Sequence, residues 1–286
     1  MKCLVHTFTL LIGQEVKLYL GKRNANTSSP IFDRIITTEL KTKGTIMTLR
    51  TGDARNPSTQ YKTSQYCVAY LDFLGGTEII LHDDQNKHLN IINMIFEDAL
   101  CESKMIAKDI FVKIFSDNIL LALPTSEVDR EQKIEKLINL VNNFVHQAAD
   151  NGYLIRGAIT EGDFFHNDII VYGKALIEAV KMEEKDAIQP RVIVKKEIAE
   201  LLPQYFYPCD DGWAMVNPYI FGDGSVDFIN FRHTFLSQLR DNKNNEKVRH
   251  KIMWAINNFN AIGNAMRQVG SLRSLITRED IEKAIK

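Results

Sequence analysis

The sequence predicts an α+β fold in which helices cover one face of an antiparallel sheet. Three observations support this prediction: an apolar strand that ends in Asp72 and a glycine pair, a tight hairpin around Asp117, and a long amphipathic helix after it. Apolar runs rich in β-branched and aromatic residues are typical of buried strands, whereas apolar positions three or four residues apart indicate a helix. The alternation of these two patterns therefore predicts sheet and helices packed around one core.

Length and composition are those of an ordinary globular protein. The chain has 286 residues, of which 45% are hydrophobic and 25% charged. The net charge of −1 argues against a protein that coats nucleic acid or an anionic membrane, and no stretch has the length of a membrane-spanning helix. The four cysteines form no CxxC pair, which is typical of reduced thiols, so we expect a cytoplasmic protein.

Residues 1–60 are predicted to form an N-terminal extension, to which we assign no chemistry. Two apolar runs, Leu4–Ile12 and Val16–Leu20, predict a hairpin. Polar residues interrupt the first run and no small-residue cleavage site follows it, so we interpret it as a strand rather than a signal peptide. The stretches 23–30 and 51–60 have the composition of loops.

From residue 66 onward, strands and helices alternate in a defined order. The pattern predicts a strand from 66 that Asp72 closes, a helix at 84–104, a hairpin at 112–123, a helix at 131–150, a strand at 153–160, a helix at 173–184 and a strand at 191–194. This order contains the βαββαβ unit of the ferredoxin-like fold. Short strands at 205–207, 213–216 and 226–230 and a helix at 243–266 follow. We place the main domain at 61–235 and a C-terminal helical extension at 236–286.

Asp72 and Asp117 are the residues around which we expect the chemistry. Asp72 closes an apolar strand and Asp117 lies at a hairpin tip, and the predicted topology makes these strands neighbours. Two carboxylates brought together repel each other unless cations lie between them, which is the arrangement of a two-metal site. Gly75 and Gly76 would let backbone amides approach phosphate oxygens. Taken singly, each aspartate also fits a structural role, as a helix cap or as part of a turn.

Several motifs in the central region resemble those of class III nucleotide cyclases. The segment DFLGGT (72–77) resembles their D-I-x-G-F-T metal and phosphate loop, and Asp117 resembles the second metal aspartate of a K-I-K-x-x-G-D hairpin. The segment IRGAITEG (155–162) resembles the R-x-G-I-x-x-G strand, whose arginine binds the triphosphate. YGKA (172–175) and RVIV (191–194) resemble the opening of the G-x-x-V-N-x-A-x-R helix and the K-I-x-V strand.

This resemblance implies a set of site residues. Two Mn²⁺ or Mg²⁺ ions would be held by Asp72, Phe73 and Asp117. The residues implied to contact the nucleoside triphosphate are Tyr70, Phe73, Gly75, Gly76, Thr77, Lys113, Arg156 and Arg191. Lys181, together with both aspartates and Arg156, would be catalytic. The resemblance also implies a head-to-tail homodimer with shared sites, in which the second subunit contributes Tyr70, Lys113, Lys181 and Arg191.

Departures from the class III pattern narrow the expected substrate. Ile177 and Lys181 occupy the positions of the transition-state Asn and Arg, and Ile170 occupies the position of the aspartate that reads adenine. With few other class III features, the motifs D-x-L-G, S-D-[NS], R-G-x-I and G-x-A-L-x-x-A of this chain resemble those of the bacterial Pycsar pyrimidine cyclases. Those enzymes make cyclic UMP or cyclic CMP, which activates a separate effector protein in anti-phage defence. The resemblance thus implies UTP or CTP as the substrate, and Tyr70 either packs on the base or belongs to the core.

Two alternatives remain beside a pyrimidine cyclase. One is an adenylate or guanylate cyclase of the same fold, and the other is a catalytically inactive cyclase-like module that binds a nucleotide or a partner. The missing Asn and Arg favour the inactive module, whereas retention of both aspartates and both phosphate-site arginines opposes it. Lys181, Glu183, Glu184 and Lys185 form a mixed-charge run that is also typical of a solvated helix face.

Overall fold

The computed structural model describes residues 5–9, 15–20, 36–42, 45–50, 60–106, 108–220, 228–265 and 275–286. The chain divides into two compact units, residues 1–62 and 63–286. The loop predicted at 23–30 lies outside the described residues, as does the loop predicted at 51–60 except for residue 60.

The first unit contains a four-stranded antiparallel sheet in which consecutive strands are neighbours. Its strands are β1 (Val5–Thr9), β2 (Glu15–Leu20), β3 (Ile36–Thr42) and β4 (Thr45–Arg50). Val5 pairs with Tyr19 and Thr9 with Glu15, so the hairpin predicted from the first two apolar runs is confirmed.

The second unit is built on a sheet that has eight strands within the described residues. They are β5 (Ser64–Phe73), β6 (Phe111–Phe115), β7 (Asn118–Pro124), β8 (Ile155–His166), β9 (Val171–Gly173), β10 (Val192–Val194), β11 (Phe206–Pro208) and β12 (Ala214–Val216). The sheet order is β11-β12-β10-β8-β5-β7-β6, with β9 also paired to β8. Neighbours are antiparallel except β8 and β10, which are parallel.

The helices of this unit connect and cover the strands. They are α1 (Gly76–Leu81), α2 (Lys87–Ile106), α3 (Arg130–Asp150), α4 (Lys174–Lys185), α5 (Lys196–Leu201), α6 (Ile229–Asp241), α7 (Glu246–Ala265) and α8 (Arg278–Ile285). The succession β5, α2, β6, β7, α3, β8 and the sheet order β8-β5-β7-β6 confirm the ferredoxin-like βαββαβ unit.

The two faces of the sheet are covered by different helices. On one face, Leu71 of β5 packs in a single core with Ile95 of α2 and Leu137 of α3. On the other face, Val68 of β5 packs in a core with Ala175 of α4. The prediction that helices cover one face of the sheet is therefore confirmed for the βαββαβ unit. Helix α4 is the exception, because it covers the opposite face.

The C-terminal helices form a second core against the end of α3. Phe231 and Phe235 of α6 and Phe259 of α7 share this core with Ala149 of α3. The strand predicted at 226–230 is wrong where it is described, since Ile229 begins α6 and residues 226–227 lie outside the described part. The three- and four-residue spacing of residues 228, 231 and 235 is helical, and it outweighs their β-forming composition. None of the described helices combines the length and apolarity of a membrane span.

Candidate active site

The end of β5 and the β6–β7 turn bring the two aspartates together. Asp72 pairs in register with Asn118, the first residue of β7, so it lies beside the two-residue turn of Ser116 and Asp117. Ser116 adopts the left-handed conformation with φ of 57°, and the Phe73 amide donates to the Asp117 carbonyl at 3.2 Å. Both aspartates are largely buried, with exposures of 9% and 8%. The turn is thereby fixed to the strand end, with both carboxylates at one place.

A short hydrogen-bond chain supports the Asp117 carboxylate. The Tyr70 hydroxyl donates to Asn118 Oδ1 at 2.6 Å, and Asn118 Nδ2 donates to Asp117 Oδ1 at 3.2 Å. Burial, followed by the charges of Glu183 and Asp72, raises the pKa of Tyr70 to about 12, so its hydroxyl stays protonated at neutral pH. The role of Asn118 was missed by sequence reasoning, which treated it only as a turn residue.

Gly75 and Gly76 let the chain turn closely around Asp117. Gly75 has φ of 80°, which favours glycine, and it precedes the first turn of α1. A Cβ atom on Gly76 would lie 2.6 Å from the Asp117 Cβ, closer than such atoms approach each other. Thr77 is exposed in the first turn of α1. Gly76 is therefore required by the position of Asp117 independently of any contact to phosphate.

Gly76→Ala is expected to displace the Asp117 side chain and to lower the cyclase activity that the class III resemblance implies by about 100-fold, a loss of about 3 kcal/mol of transition-state stabilisation. Gly75→Ala is the comparison, because a Cβ at that position meets no neighbour and the change adds only left-handed strain of about 1–2 kcal/mol. Turnover and the melting temperature of both variants would be measured. An active Gly76→Ala enzyme would show that the Asp117 position is not required.

Arg156 lies between carboxylates from two different elements. It is opposite Asp72 in the β5–β8 pairing, and its Nε and a terminal nitrogen lie 2.8 and 2.7 Å from Asp72 Oδ2. The terminal nitrogen also lies 2.8 Å from Glu183 Oε1 of α4. Burial raises the pKa of Asp72, Arg156 opposes this shift, and Asp117 adds to it. The site thus holds more acidic than basic groups around Asp72.

Glu183 is a site residue that sequence reasoning missed. A solvated helix face was one of the two interpretations of the mixed-charge run in α4, and it is wrong for Glu183, which is 3% exposed, while Lys181 and Glu184 beside it are exposed. Burial raises the pKa of Glu183 to about 7, and Arg156 opposes the shift. The four-residue spacing of Ala175, Ala179 and Glu183 was the available signal, since it places Glu183 on the buried face of α4.

Helix α7 adds a further cation near these carboxylates. Lys251 is half-buried, and burial lowers its pKa, as does the positive charge of Arg156. The carboxylates of Asp72 and Glu183 act on Lys251 in the opposite direction. The C-terminal helical segment therefore contributes charge to the site, a role that the sequence did not suggest.

Arg191 is enclosed by protein groups rather than directed at an open site. Its guanidinium is paired with both carboxylate oxygens of Asp211, donates to the Asp186 carbonyl at 3.0 Å and lies 5.0 Å from the centre of the Trp254 ring. The Arg191 side chain is 2% exposed. These partners engage both terminal nitrogens of the guanidinium that the class III resemblance assigned to the triphosphate, while Nε has no hydrogen-bond partner among the described residues. In this structure Arg191 therefore joins α7 to the strand that it precedes.

We expect Arg191→Ala to lower the free energy of unfolding by on the order of 2 kcal/mol, because it removes the stack on Trp254 and the pair with Asp211. Chemical denaturation would measure this loss. Lys196→Ala is the control, because that side chain is 81% exposed. A variant as stable as the wild type that no longer bound nucleotide would instead support the phosphate role.

The remaining predicted residues lie on the α4 face or on α4 itself. Tyr70 and Lys113 are both opposite Leu120 in register, so the three side chains share one sheet face. Lys113 and Lys181 are exposed, and Ile177 of α4 is 55% exposed. Ile170, in the β8–β9 connection, is 50% exposed.

The donor set of the two aspartates fits a hard divalent cation. Mg²⁺ is commonly held by one or two carboxylates together with substrate phosphates and water. In the part of the chain that the structure describes, no group of three or more His, Cys, Asp or Glu side chains is arranged to hold a metal. The Phe73 side chain is 1% exposed in the core, so any contribution of Phe73 would come from its main chain. The other ligands of a cation held by the two aspartates would be water, main-chain oxygen or substrate phosphates.

Comparisons with solved structures find cyclase domains. The guanylyl cyclase domain of the RhoGC fusion protein from Blastocladiella emersonii shows 14% identity and a TM-score of 0.46, over 55% of this chain and 96% of that one. The guanylate cyclase domain of RhGC from Catenaria anguillulae shows 14% identity and a TM-score of 0.45, over 55% of this chain and 98% of that one. The adenylyl cyclase CyaB from P. aeruginosa shows 14% identity and a TM-score of 0.42, over 55% of this chain and 95% of that one.

No family model matches the sequence, and no curated protein matches it. Structural similarities of this size do not assign an activity to this chain. Its function is therefore inferred from its own residues.

Proposed function

We propose that this protein is a metal-dependent nucleotide cyclase that converts a nucleoside triphosphate to its 3′,5′-cyclic monophosphate and pyrophosphate. One observation supports the proposal above the others: Asp72 and Asp117 converge at a strand end, with Arg156 directly across the sheet from Asp72. The motifs that resemble those of class III cyclases contain both metal aspartates and the phosphate-binding arginine in the same order along the chain.

The proposed reaction joins the 3′-oxygen to the α-phosphorus while the bond from that phosphorus to the pyrophosphate oxygen breaks, and the proton of the 3′-hydroxyl is released to water. Divalent ions, when bound, would supply charge that favours loss of the 3′-hydroxyl proton and neutralises the triphosphate. Asp72 and Asp117 would hold those ions. Arg156 is the protein cation best placed to neutralise the phosphates, because its guanidinium already lies among the carboxylates.

For the substrate we propose UTP or CTP, with the cyclic product acting on a separate effector in anti-phage defence. Ile170 argues against ATP because its side chain offers no acceptor to an adenine amine, in contrast to the aspartate at that position in adenylyl cyclases, and the choice of UTP or CTP rests on the Pycsar resemblance. The role in defence rests on the Pycsar resemblance alone. Turnover of ATP faster than UTP or CTP would favour the adenylate cyclase alternative.

The direct test is to incubate the protein with each of the four nucleoside triphosphates and Mn²⁺ and to identify products by mass spectrometry. A cyclic monophosphate with equimolar pyrophosphate is the expected result. Nucleotide binding without any product would favour the inactive cyclase-like module, for which the replacement of the transition-state Asn and Arg by Ile177 and Lys181 is the supporting observation.

The proposal includes a homodimer in which each site draws on both copies. Exposed Lys113 and Lys181 are available to a second copy, whereas Tyr70 is linked through Asn118 to Asp117 of its own chain. Arg191, the other residue expected from the second copy, has a side chain enclosed within its own chain in this structure.

Mixing Asp72→Ala with Lys181→Ala protein is expected to restore about a quarter of wild-type activity. Random exchange makes half of the dimers mixed, and each mixed dimer has one intact site of two. Native mass spectrometry would verify the exchange. Complete exchange without recovered activity would contradict shared sites while leaving the cyclase assignment intact.

A further inference from the structure

Arg156 uses two of its nitrogens on a single oxygen of Asp72. Nε lies 2.8 Å and a terminal nitrogen 2.7 Å from Asp72 Oδ2, and that terminal nitrogen is shared with Glu183 Oε1 at 2.8 Å. Among the described residues, Asp72 and Glu183 are the acidic partners of Arg156. The guanidinium is therefore held from the sheet by one carboxylate and from α4 by the other.

Glu183 is an unusual residue for the inner face of a helix. Its side chain is 4% exposed, and its Oε1 has no aligned hydrogen bond among the described residues, so the contact with Arg156 is an ion pair only. A buried carboxylate with a single cationic partner costs stability rather than adding to it. Such a group is more easily explained by what it does to Arg156 than by packing.

Resting on the proposed cyclase function, we propose that Glu183 is a positioning residue that keeps Arg156 in the site when Asp72 is committed to a cation. A carboxylate that ligates a cation is a weaker acceptor for the guanidinium, so the hold on Arg156 passes to Glu183. With Glu183 as its anchor, Arg156 stays oriented to donate two parallel hydrogen bonds to the triphosphate. Glu183 itself need not touch substrate.

Glu183→Gln tests this role, since the amide keeps the shape and removes the charge. We expect KM for the preferred nucleotide to rise about tenfold with kcat changed much less, because orientation of Arg156 affects substrate binding most. Glu184→Gln is the matched control, being the adjacent and exposed glutamate. Glu183→Asp keeps the charge, but its side chain is one methylene shorter, so the carboxylate lies farther from Arg156. This variant should therefore also raise KM.

The double variant distinguishes positioning from a general structural effect. If Glu183 acts through Arg156, adding Glu183→Gln to Arg156→Ala should cause no further rise in KM. Additive effects of the two changes would overturn the inference.

A second readout is independent of turnover. The Arg156 Nε–H resonance of ¹⁵N-labelled wild-type protein should remain sharp and protected after Mg²⁺ is added, and it should broaden or vanish in Glu183→Gln but not in Glu184→Gln. An unchanged resonance in Glu183→Gln would overturn the positioning role. Wild-type protein that makes no product from any nucleotide would reject the proposed function, while this spectrum would still decide whether Glu183 holds Arg156.

Discussion

Replacing Asp72 or Asp117 by Ala is expected to lower product formation by at least about 10³-fold with every nucleoside triphosphate. Each change removes one of the two carboxylates that meet at the end of β5. The fold should persist, because neither side chain belongs to an apolar core, and Arg156 keeps Glu183 as a partner when Asp72 is removed. The loss should therefore be chemical rather than structural.

Asp84→Ala is the control for this experiment, because Asp84 is an exposed aspartate that lies after helix α1. Its activity should equal that of the wild type. Product would be quantified by mass spectrometry, and circular dichroism would verify folding. If either site variant retained most of its activity with Mn²⁺, our assignment of the metal ligands would be wrong.

UTP or CTP is expected to be turned over about ten- to a hundredfold faster than ATP or GTP. A buried amino group left without an acceptor costs on the order of 1–3 kcal/mol, and Ile170 offers none to the adenine amine where adenylyl cyclases have an aspartate. This argument disfavours ATP, whereas the preference for CTP and the low rate with GTP rest on the Pycsar resemblance. Initial rates with the four nucleotides at equal concentration would measure the preference. Equal rates with all four nucleotides would contradict the pyrimidine assignment, but they would not contradict the assignment of Asp72 and Asp117 as metal ligands.

Variants of Tyr70 separate two roles for that residue. If Tyr70 reads the base, Tyr70→Phe and Tyr70→Ala should both reduce the preference among nucleotides, with Ala the more severe. If it acts only through Asn118 on Asp117, the rates with all four nucleotides should fall by the same factor. The ratio of rates, rather than any single rate, is the measurement that decides.

The meeting of Asp72 and Asp117 could be predicted because it depends on local signals and on topology. An apolar strand that ends in Asp-x-x-Gly, and a two-residue turn between apolar runs, fix where each aspartate lies along its strand. The βαββαβ order then makes β5 and β7 neighbours. Arg156 follows for the same reason, because β8 pairs with the other edge of β5.

Glu183, Lys251 and the partners of Arg191 could not be predicted in the same way. The charge of Glu183 suggested solvent, and only the packing of α4 on the sheet shows that its face is buried. Lys251 and Trp254 are distant in sequence from the strands that they approach, and no local pattern links them to Arg156 or Arg191. Long-range packing of the C-terminal helices decides these contacts.

The stack of Arg191 on Trp254 has a spectroscopic consequence. The sequence contains two tryptophans, Trp213 and Trp254, so Trp213→Phe leaves a protein with a single indole. That indole lies against a guanidinium at the junction of α7 with the sheet, and its emission wavelength and anisotropy depend on whether the junction is closed. Nucleotide titrations followed by fluorescence would therefore report whether the C-terminal helices move when the site is filled, without any need for turnover.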